Sequence, residues 1–476
     1  MSYGLYIGKN LTSNGIAYLA GYGDEPSSHW LEIIPRQEHG EHAKVVVGVT
    51  PSAELPGVLS EIPQARQTAR QIRVSYSHYK GHPAPLTNGG LNEHGVAVRD
   101  IWSPSRPELI SITPADQRGP SYSDLARIVL ERARTAREGV EIIGQLTKEF
   151  GHTSYGGNSH IIADSEEAWV VIQFAGGKGL WVAERLGPDS IRASRPGYIE
   201  DIVLDDSMNG KFLYSANFIS FAISQGWHDP EKTTVFNVNK TYGDGKGKWE
   251  GVQWIEKEMR ALAARPEKIG IEDVIWAVRT DKLTADSAGY GQVVPLIKTE
   301  YSDLRMIWHT QTSPAAVQFV PVFMGVTDIP EEFSQHRYLT EGEAGRYYDA
   351  RHLGKKMFPT VPQGIESTRS ATQIFKRLEY LVFQNSELFL KEHIELCCAS
   401  ERQLSVELDT VCKTAGILFA AQEFDLGKRY LTYFCYTELI KSLNAAEAIA
   451  TSMEIRTRAL HGISRQNKLS GPSQTW

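Results

Sequence analysis

The residue best suited to chemistry in this sequence is Ser2, which comes directly before the apolar segment Tyr3–Ile7. Met1 is generally removed when the second residue is small, so we expect the mature chain to begin at Ser2. A terminal serine carries a hydroxyl and a free α-amine, whose ordinary pKa of about 7.7–8.0 suits a base near neutral pH. A nucleophile beside its own base is an arrangement used for covalent catalysis. The alternative is an ordinary N-terminal residue, since many proteins begin Met-Ser.

Three polar residues next to predicted strands could complete such a site. Asp24 follows the second strand and would lie beside Ser2 if the first two strands pair. Asn158 precedes a later strand, where its amide could donate to an oxyanion or simply form a turn. Arg195 could hold a substrate carboxylate in a bidentate pair, with a surface ion pair as the alternative.

Composition excludes several classes of protein. At 476 residues the chain is long enough for two or three domains. The net charge of −7 gives no basic surface for nucleic acid, and no apolar run approaches the length of a membrane span. The N-terminal residues lack a secretory signal pattern. The cysteines show no CxxC spacing and suit a reducing compartment, so we expect a cytoplasmic protein. They are Cys397, Cys398, Cys412 and Cys435.

The first 360 residues alternate between strand and helix patterns, which is typical of two antiparallel sheets with helices outside them. Asn14-Gly15 between apolar runs predicts an opening β-hairpin whose first strand begins at Ser2. A capping box at Ser121–Asp124, followed by apolar residues at helical spacing, predicts one long helix that ends at Gly151. Further strands are expected at 96–98, 159–164, 168–172, 180–185, 306–308 and 317–322, and helices at 250–264 and 271–278.

The pattern becomes helical from about residue 367. Helices are expected near 401–422, 427–443 and 445–460. The sequence therefore predicts a domain of mixed strands and helices over residues 2–365 and a C-terminal helical region over residues 366–476 that packs on or beside it.

A glycine-rich run and a group of histidines near the start of the chain are two further patterns that could indicate a functional site. The glycine-rich run Gly243–Lys248 lacks the spacing of a phosphate-binding loop and is read as a surface turn. The histidines near the start of the chain have no metal-ligand spacing, so no metal site is expected. His94 lies in a tight turn with Asn92, where a structural role is the alternative to a functional one.

An ordered series of short segments runs from residue 2 to roughly residue 460. It comprises Ile7–Lys9 with the following Asn-Gly turn, Gly90–Ala97, Leu125–Ile143, Asn158–Asp164 with Glu167–Trp169, Ser215–Phe218 and Pro321–Val326. In this order the segments resemble the dipeptidases related to dipeptidase A and the secernins, which are cysteine dipeptidases of the N-terminal-nucleophile (Ntn) hydrolase superfamily.

This resemblance implies an α+β fold, namely a four-layer αββα sandwich of two antiparallel sheets with the C-terminal helical region added. It assigns the nucleophile to Ser2, the carboxylate near the α-amine to Asp24 and the oxyanion amide to Asn158. Arg195 matches a later arginine, and we take it with Asn92 and His94 as candidate substrate-binding residues. No cofactor or metal is expected. The expected partner is a small peptide or acyl-amino substrate, with no nucleic acid or membrane, and a homo-oligomer is common for this fold.

The chain departs from this family at two positions. Serine stands at position 2 in place of the nucleophilic cysteine, and Gly21 stands where the family usually has an arginine. The expected function is an amide hydrolase, either dipeptidase-like or acting on an acyl-amino compound, through an acyl-enzyme on Ser2. The alternatives are an amide synthase or acyltransferase on the same scaffold, and an inactive or Cys-to-Ser substituted member that acts as a binding protein.

Overall fold

The computed structural model describes residues 2–24, 29–76, 79–204, 210–284, 287–334 and 369–462. Its strands are β1 (Tyr3–Ile7), β2 (Tyr18–Gly23), β3 (His29–Ile34), β4 (Gln37–Glu38), β5 (Lys44–Val47), β6 (Ser60–Pro63), β7 (Gln67–Thr68), β8 (Gln71–Tyr76), β9 (Leu86–Asn92), β10 (Ala97–Trp102), β11 (Asn158–Ala163), β12 (Ala168–Gln173), β13 (Trp181–Leu186), β14 (Ile191–Ser194), β15 (Asp201–Val203), β16 (Phe212–Tyr214), β17 (Val235–Asn237), β18 (Tyr290–Pro295), β19 (Met306–Gln311) and β20 (Val320–Phe323). Its α-helices are α1 (Pro107–Ser111), α2 (Tyr122–Arg132), α3 (Ala136–Phe150), α4 (Phe218–Ser224), α5 (Val238–Tyr242), α6 (Glu250–Ala263), α7 (Ile271–Arg279), α8 (Glu331–Ser334), α9 (Ala371–Gln384), α10 (Ser386–Ala420) and α11 (Phe424–His461).

Two large antiparallel sheets form the centre of the protein. One has six strands in the order β14-β1-β2-β18-β19-β20, and the other has eight in the order β16-β13-β12-β11-β10-β9-β8-β3. The sheets face each other closely, because a Cβ atom at Gly4 of β1 would lie 2.7 Å from Ile101 Cδ1 and 3.0 Å from Ile161 Cδ1 of the opposite sheet. Their facing side chains form one continuous apolar core.

Helices cover the outer face of each sheet. On the eight-stranded sheet, α2 and α3 bury apolar side chains such as Leu125, Val129 and Ile143 against the strand residues Val98 and Ile162 in a separate core. On the six-stranded sheet, α6, α7, α9 and α11 contact β14, β2, β19 and β20 respectively. The fold is therefore the four-layer αββα sandwich with a C-terminal helical region, as the sequence predicted.

The opening strands pair as predicted, with Tyr3 opposite Tyr22. The connection between the two strands is longer than the predicted tight turn, because a 3₁₀ turn at Lys9–Leu11 follows the first strand and β2 begins only at Tyr18. β1 also pairs with β14 on its other edge. The strand that carries Ser2 at its start is thus supported by a strand on each side.

The predicted single helix over 121–151 is wrong in one respect. Its capping box is present, since Ser121 accepts from the Asp124 amide and Asp124 accepts in return. The helix stops at Arg132, however, because Ala133 is extended and the Thr135 side chain caps a new helix by accepting from the Glu138 amide. A polar cap residue inside an apolar repeat therefore broke the helix without changing which face is buried.

The C-terminal helices are longer than predicted. The two helices expected on either side of Asn444 form the single helix α11, because neither proline nor glycine interrupts the chain there. The boundary predicted between residues 365 and 366 lies outside the described residues, so the division into domains stays a prediction. Among the described helices, none combines the length and apolarity needed to cross a membrane.

Candidate active site

Ser2 lies immediately before β1, at the point where the first strand enters the six-stranded sheet, and is only 6% exposed. Side chains alternate between the two faces of a strand. Because Gly4 faces the opposite sheet, this alternation directs the Ser2 side chain into the space between the two sheets. The residue proposed as nucleophile therefore lies at one end of the intersheet space.

Asp24 lies close to Ser2 along the sheet. The pairing of Tyr3 with Tyr22 puts Gly23 opposite Ser2, and Asp24 follows directly. The carboxylate accepts a hydrogen bond from the Ser287 hydroxyl at 2.5 Å. The register thus places the backbone of Asp24 one residue beyond the partner of Ser2.

Arg99 is a residue of this region that the sequence analysis did not select. It lies on β10 of the opposite sheet, is fully buried, and reaches across to the carbonyl oxygens of Tyr3 at 3.2 Å and Tyr22 at 2.5 Å. It also donates to the Tyr290 hydroxyl and lies over that ring. A charged Arg-Asp pair directly after an apolar strand pattern was the signal available in the sequence.

Aromatic and imidazole rings line the same intersheet space. The His29 ring is stacked 5.2 Å from Tyr76 and lies 5.7 Å from Tyr290. The His29 carbonyl accepts from Gln311 at 2.6 Å. These groups make one end of the otherwise apolar intersheet core polar. No local sequence pattern identifies them, because their partners are distant along the chain.

Arg195 lies at the same end of the six-stranded sheet but on its helix-facing side. The pairing of Gly4 with Ser194 puts Arg195 opposite Tyr3, whose side chain points away from the intersheet space. The guanidinium donates to the Tyr22 hydroxyl and lies 5.2 Å from the Trp249 ring. Burial lowers its pKa to about 10. No carboxylate of the described residues forms an ion pair with it, which leaves the cation available to an anionic group.

Asn158 is not brought to Ser2 by this geometry. On β11 it shares a face with His160 and Ile162, and this face packs against the helices. Its amide nitrogen lies 3.4 Å from Asp100 Oδ1 and 3.4 Å from His160 Nδ1. Asn158, Asp100 and His160 thus belong to a buried polar cluster beneath the start of α2, where His160 Nε2 also lies 3.0 Å from the Tyr122 carbonyl.

Asn92 uses its whole amide in holding the β9–β10 turn. Its nitrogen donates to the carbonyls of Leu130 at 3.0 Å and Ala133 at 2.7 Å. Its oxygen accepts from the backbone amides of His94 and Val96, each at 3.0 Å. The side chain therefore fastens this turn to the end of α2 and has no amide group left to bind a substrate.

His94 is half-buried in the same turn. Burial lowers the pKa of its imidazole, against the opposing effect of Glu93. Arg99 is paired with Gly89 across the two strands. Asn92 lies three residues beyond Gly89, so the turn is about 10 Å from Arg99 along the strand. The geometry does not bring Asn92 or His94 together with Ser2. Among the described residues, no group of three His, Cys, Asp or Glu side chains is arranged to hold a metal.

A mutant form of the conjugated bile acid hydrolase from Clostridium perfringens was found by structural comparison. It aligns with 68% of this chain and 92% of its own length, at 10% sequence identity and a TM-score of 0.30. That superposition is too loose to support an inference, so the fold assignment rests on the sheets and helices described above.

Sequence comparisons are more informative. The model of peptidase family C69 matches residues 73–250. Probable dipeptidase B of Lactococcus lactis is 34% identical over 102 residues, which cover 21% of each chain. A dipeptidase of Bifidobacterium longum is 28% identical over 179 residues, or 32% of this chain and 31% of the relative. A probable dipeptidase of Latilactobacillus sakei is 22% identical over 288 residues, or 52% of this chain and 59% of the relative.

The matched segments span less than two-thirds of each of these relatives. All three relatives are nevertheless named as dipeptidases, and the family model that matches residues 73–250 is also one of peptidases. The chain is thus similar to peptidase family C69 over residues 73–250 and to bacterial dipeptidases over parts of its length, in agreement with the family that its motifs resemble.

Proposed function

We propose that this protein is an amide hydrolase that cleaves a small peptide or acyl-amino compound, with Ser2 as its N-terminal nucleophile. The observation that carries the proposal is the position of Ser2, buried at the start of a central strand and directed into the space between two sheets. The relation to dipeptidases supports the same class of reaction.

In this mechanism the Ser2 hydroxyl attacks the carbonyl carbon of the substrate amide. The neutral α-amine of Ser2 takes the hydroxyl proton, directly or through one water, and delivers it to the leaving nitrogen. The C–N bond breaks, the amine product leaves, and the acyl group remains as an ester on Ser2. Water then attacks this ester with the same amine as base, which releases the acid and restores the hydroxyl.

Two charged residues have distinct roles in this proposal. Asp24, anchored by Ser287, orients the α-amine and stabilises it while it carries the proton. Arg195 lies on the other face of the six-stranded sheet from Ser2 but at the same end, and in this proposal it binds the carboxylate of a substrate that extends around that end. Its guanidinium is partly buried among aromatic rings and lacks an ion-pair partner in the described chain. Arginine suits this role since its planar fork can bind both carboxylate oxygens.

The test is the intact mass of the full-length protein before and after reaction with p-nitrophenyl acetate. We expect loss of Met1 and one acetyl group on Ser2 that hydroxylamine removes, since hydroxylamine cleaves an ester but spares an acetylated amine. Ser2→Ala should lower the rate of this labelling by at least about a hundredfold. Ser2→Cys should label faster, because a thiol is the better nucleophile near neutral pH.

The matched control is Ser13→Ala, which removes an exposed serine from the first turn and should leave labelling unchanged. Retained Met1 together with labelling that does not depend on Ser2 would contradict the proposal and favour an inactive binding protein. Product analysis with an added amine then separates hydrolysis from acyl transfer, since transfer yields a new amide in place of the free acid.

A further inference from the structure

We infer that Arg99 is a positioning residue for Ser2, holding the start of β1 and the end of β2 in place from the opposite sheet. The inference rests on the proposed function, because it identifies a group that serves the Ser2 nucleophile. It does not require that Arg99 touch the substrate.

Arg99 donates hydrogen bonds to the backbone next to Ser2 and to the strand paired with it. Its Nε donates to the carbonyl of Tyr3, the residue bonded to Ser2, at 3.2 Å. Its Nη2 donates to the carbonyl of Tyr22 at 2.5 Å. Because Tyr3 and Tyr22 are register partners, one side chain holds both strands at the point where Ser2 leaves the sheet.

Burying the Arg99 guanidinium costs free energy, and this cost indicates that Arg99 has a role beyond packing. The side chain is fully buried, yet among the described residues no carboxylate forms an ion pair with it. Its partners are carbonyl oxygens, including that of Asn88 at 3.3 Å, and the hydroxyl and ring of Tyr290. A buried charge without a counter-ion is unfavourable. By contrast, Arg73 on the same sheet is paired with Glu32 at 2.8 Å.

The absence of a side chain at Gly21 allows Arg99 to reach its backbone acceptor on β1. Gly21 has a φ of +152°, and a Cβ atom there would lie 2.0 Å from the Tyr3 carbonyl oxygen. That oxygen is the acceptor of the Arg99 Nε, so a side chain at position 21 would collide with the atom that Arg99 binds. Glycine on β2 therefore leaves the carbonyl accessible from the opposite sheet.

This contact bears on rate because a nucleophile must lie within a fraction of an ångström of its working position. A displacement of about 1 Å at a reacting group can cost on the order of a hundredfold in rate. Without Arg99, the backbone beside Ser2 loses its fixed donors, and we expect the maximum rate of Ser2 acylation to fall while apparent affinity for the acyl donor changes little.

The experiment measures acetylation of Ser2 by p-nitrophenyl acetate, read by intact mass and by hydroxylamine release, over a range of ester concentrations. Arg99→Lys and Arg99→Ala should each lower the maximum rate by about a hundredfold. Guanidinium ion at non-denaturing concentration should restore part of the rate to Arg99→Ala and none to Ser2→Ala. Tyr290→Phe, which removes one acceptor of Arg99, should give a smaller loss.

Arg73→Lys is the matched control, since it alters a buried arginine of the same sheet that has its own carboxylate, and it should react at the unmodified rate. Full-rate acetylation of folded Arg99→Lys, or failure of guanidinium to restore Arg99→Ala, would overturn the inference while Ser2-dependent labelling of the unmodified protein upholds the proposed function. If Arg99→Ala does not fold, Arg99→Lys and Tyr290→Phe decide the matter. Absence of Ser2-dependent labelling in the unmodified protein would reject both ideas.

Discussion

The guanidinium of Arg279 and the carboxylate of Glu401 form a bidentate ion pair inside the protein, at 2.5 Å for Nη2–Oε1 and 2.8 Å for Nη1–Oε2. Arg279 ends α7, and Glu401 lies in the long C-terminal helix α10. Glu401 also accepts from the Phe319 amide at 2.8 Å, and Arg279 donates to the Pro314 carbonyl at 3.0 Å. The pair therefore joins the C-terminal helical region to the chain that leads into β20.

Breaking this pair on one side should destabilise the protein strongly. Glu401→Gln leaves a buried arginine without its counter-charge, for which a loss of about 3–5 kcal/mol is expected. Urea unfolding measures this as a lower midpoint. The double variant Arg279→Met with Glu401→Leu should recover much of the loss because no charge remains buried, and failure to recover would mean that the backbone bonds to Pro314 and Phe319 matter more than the charge.

Stability should fall with pH below neutrality because of three buried histidines. Burial lowers the pKa values of His152, His160 and His309 to about 4 each. In the unfolded chain these groups take up protons near pH 6.5, whereas the folded protein resists protonation until about pH 4. Their contribution is therefore complete above about pH 6.5 and is lost as the pH falls towards about 4.

Each pKa unit corresponds to about 1.4 kcal/mol, so the combined effect is several kcal/mol. Urea unfolding from about pH 7.5 to about pH 4.5 checks it. His309→Gln should make the decline shallower, whereas His42→Gln, which alters an exposed histidine, should leave it unchanged. A pH-independent midpoint over this range would contradict the prediction.

Replacing Arg195 should weaken binding of substrates that carry a free carboxylate. In Arg195→Gln the charge-assisted hydrogen bonds are lost, so KM for a dipeptide should rise by about 10- to 100-fold with little change in kcat. The matched dipeptide amide should be affected much less. Arg137→Gln, at an exposed ion pair with Glu141, serves as control. An equal loss for acid and amide would show that Arg195 does not read the carboxylate.

Asn158 can be assigned by separating stability from rate. Its amide lies beside Asp100 and His160 on the helix-facing side of the eight-stranded sheet, so we expect Asn158→Ala to cost about 1–3 kcal/mol of stability. Acetylation of Ser2 in the folded variant should stay within a few-fold of the unmodified rate. A loss of about 10²–10³ in rate at unchanged stability would instead restore Asn158 as the oxyanion donor.

Much of the local structure could be predicted from the sequence. The capping box at Ser121–Asp124 is present, and the first two strands pair, although their connection is longer than a tight Asn14-Gly15 turn. Both predictions depend on residues close together in the chain. The order of strand and helix patterns also indicated correctly that two antiparallel sheets pack with helices outside them. Helix ends were less predictable, as at Thr135, because a capping residue can interrupt an apolar repeat without disturbing it.

The sequence alone determined which residues share a face of a strand, since that depends only on the alternation of side chains along the chain. The tertiary structure decided which of the two faces meets the opposite sheet. This choice separates Asn158 from Ser2 and brings Arg99 to the carbonyl of Tyr3, 96 positions away. The physical reason is that contacts between the sheets come from their relative packing, which joins residues that no local pattern relates.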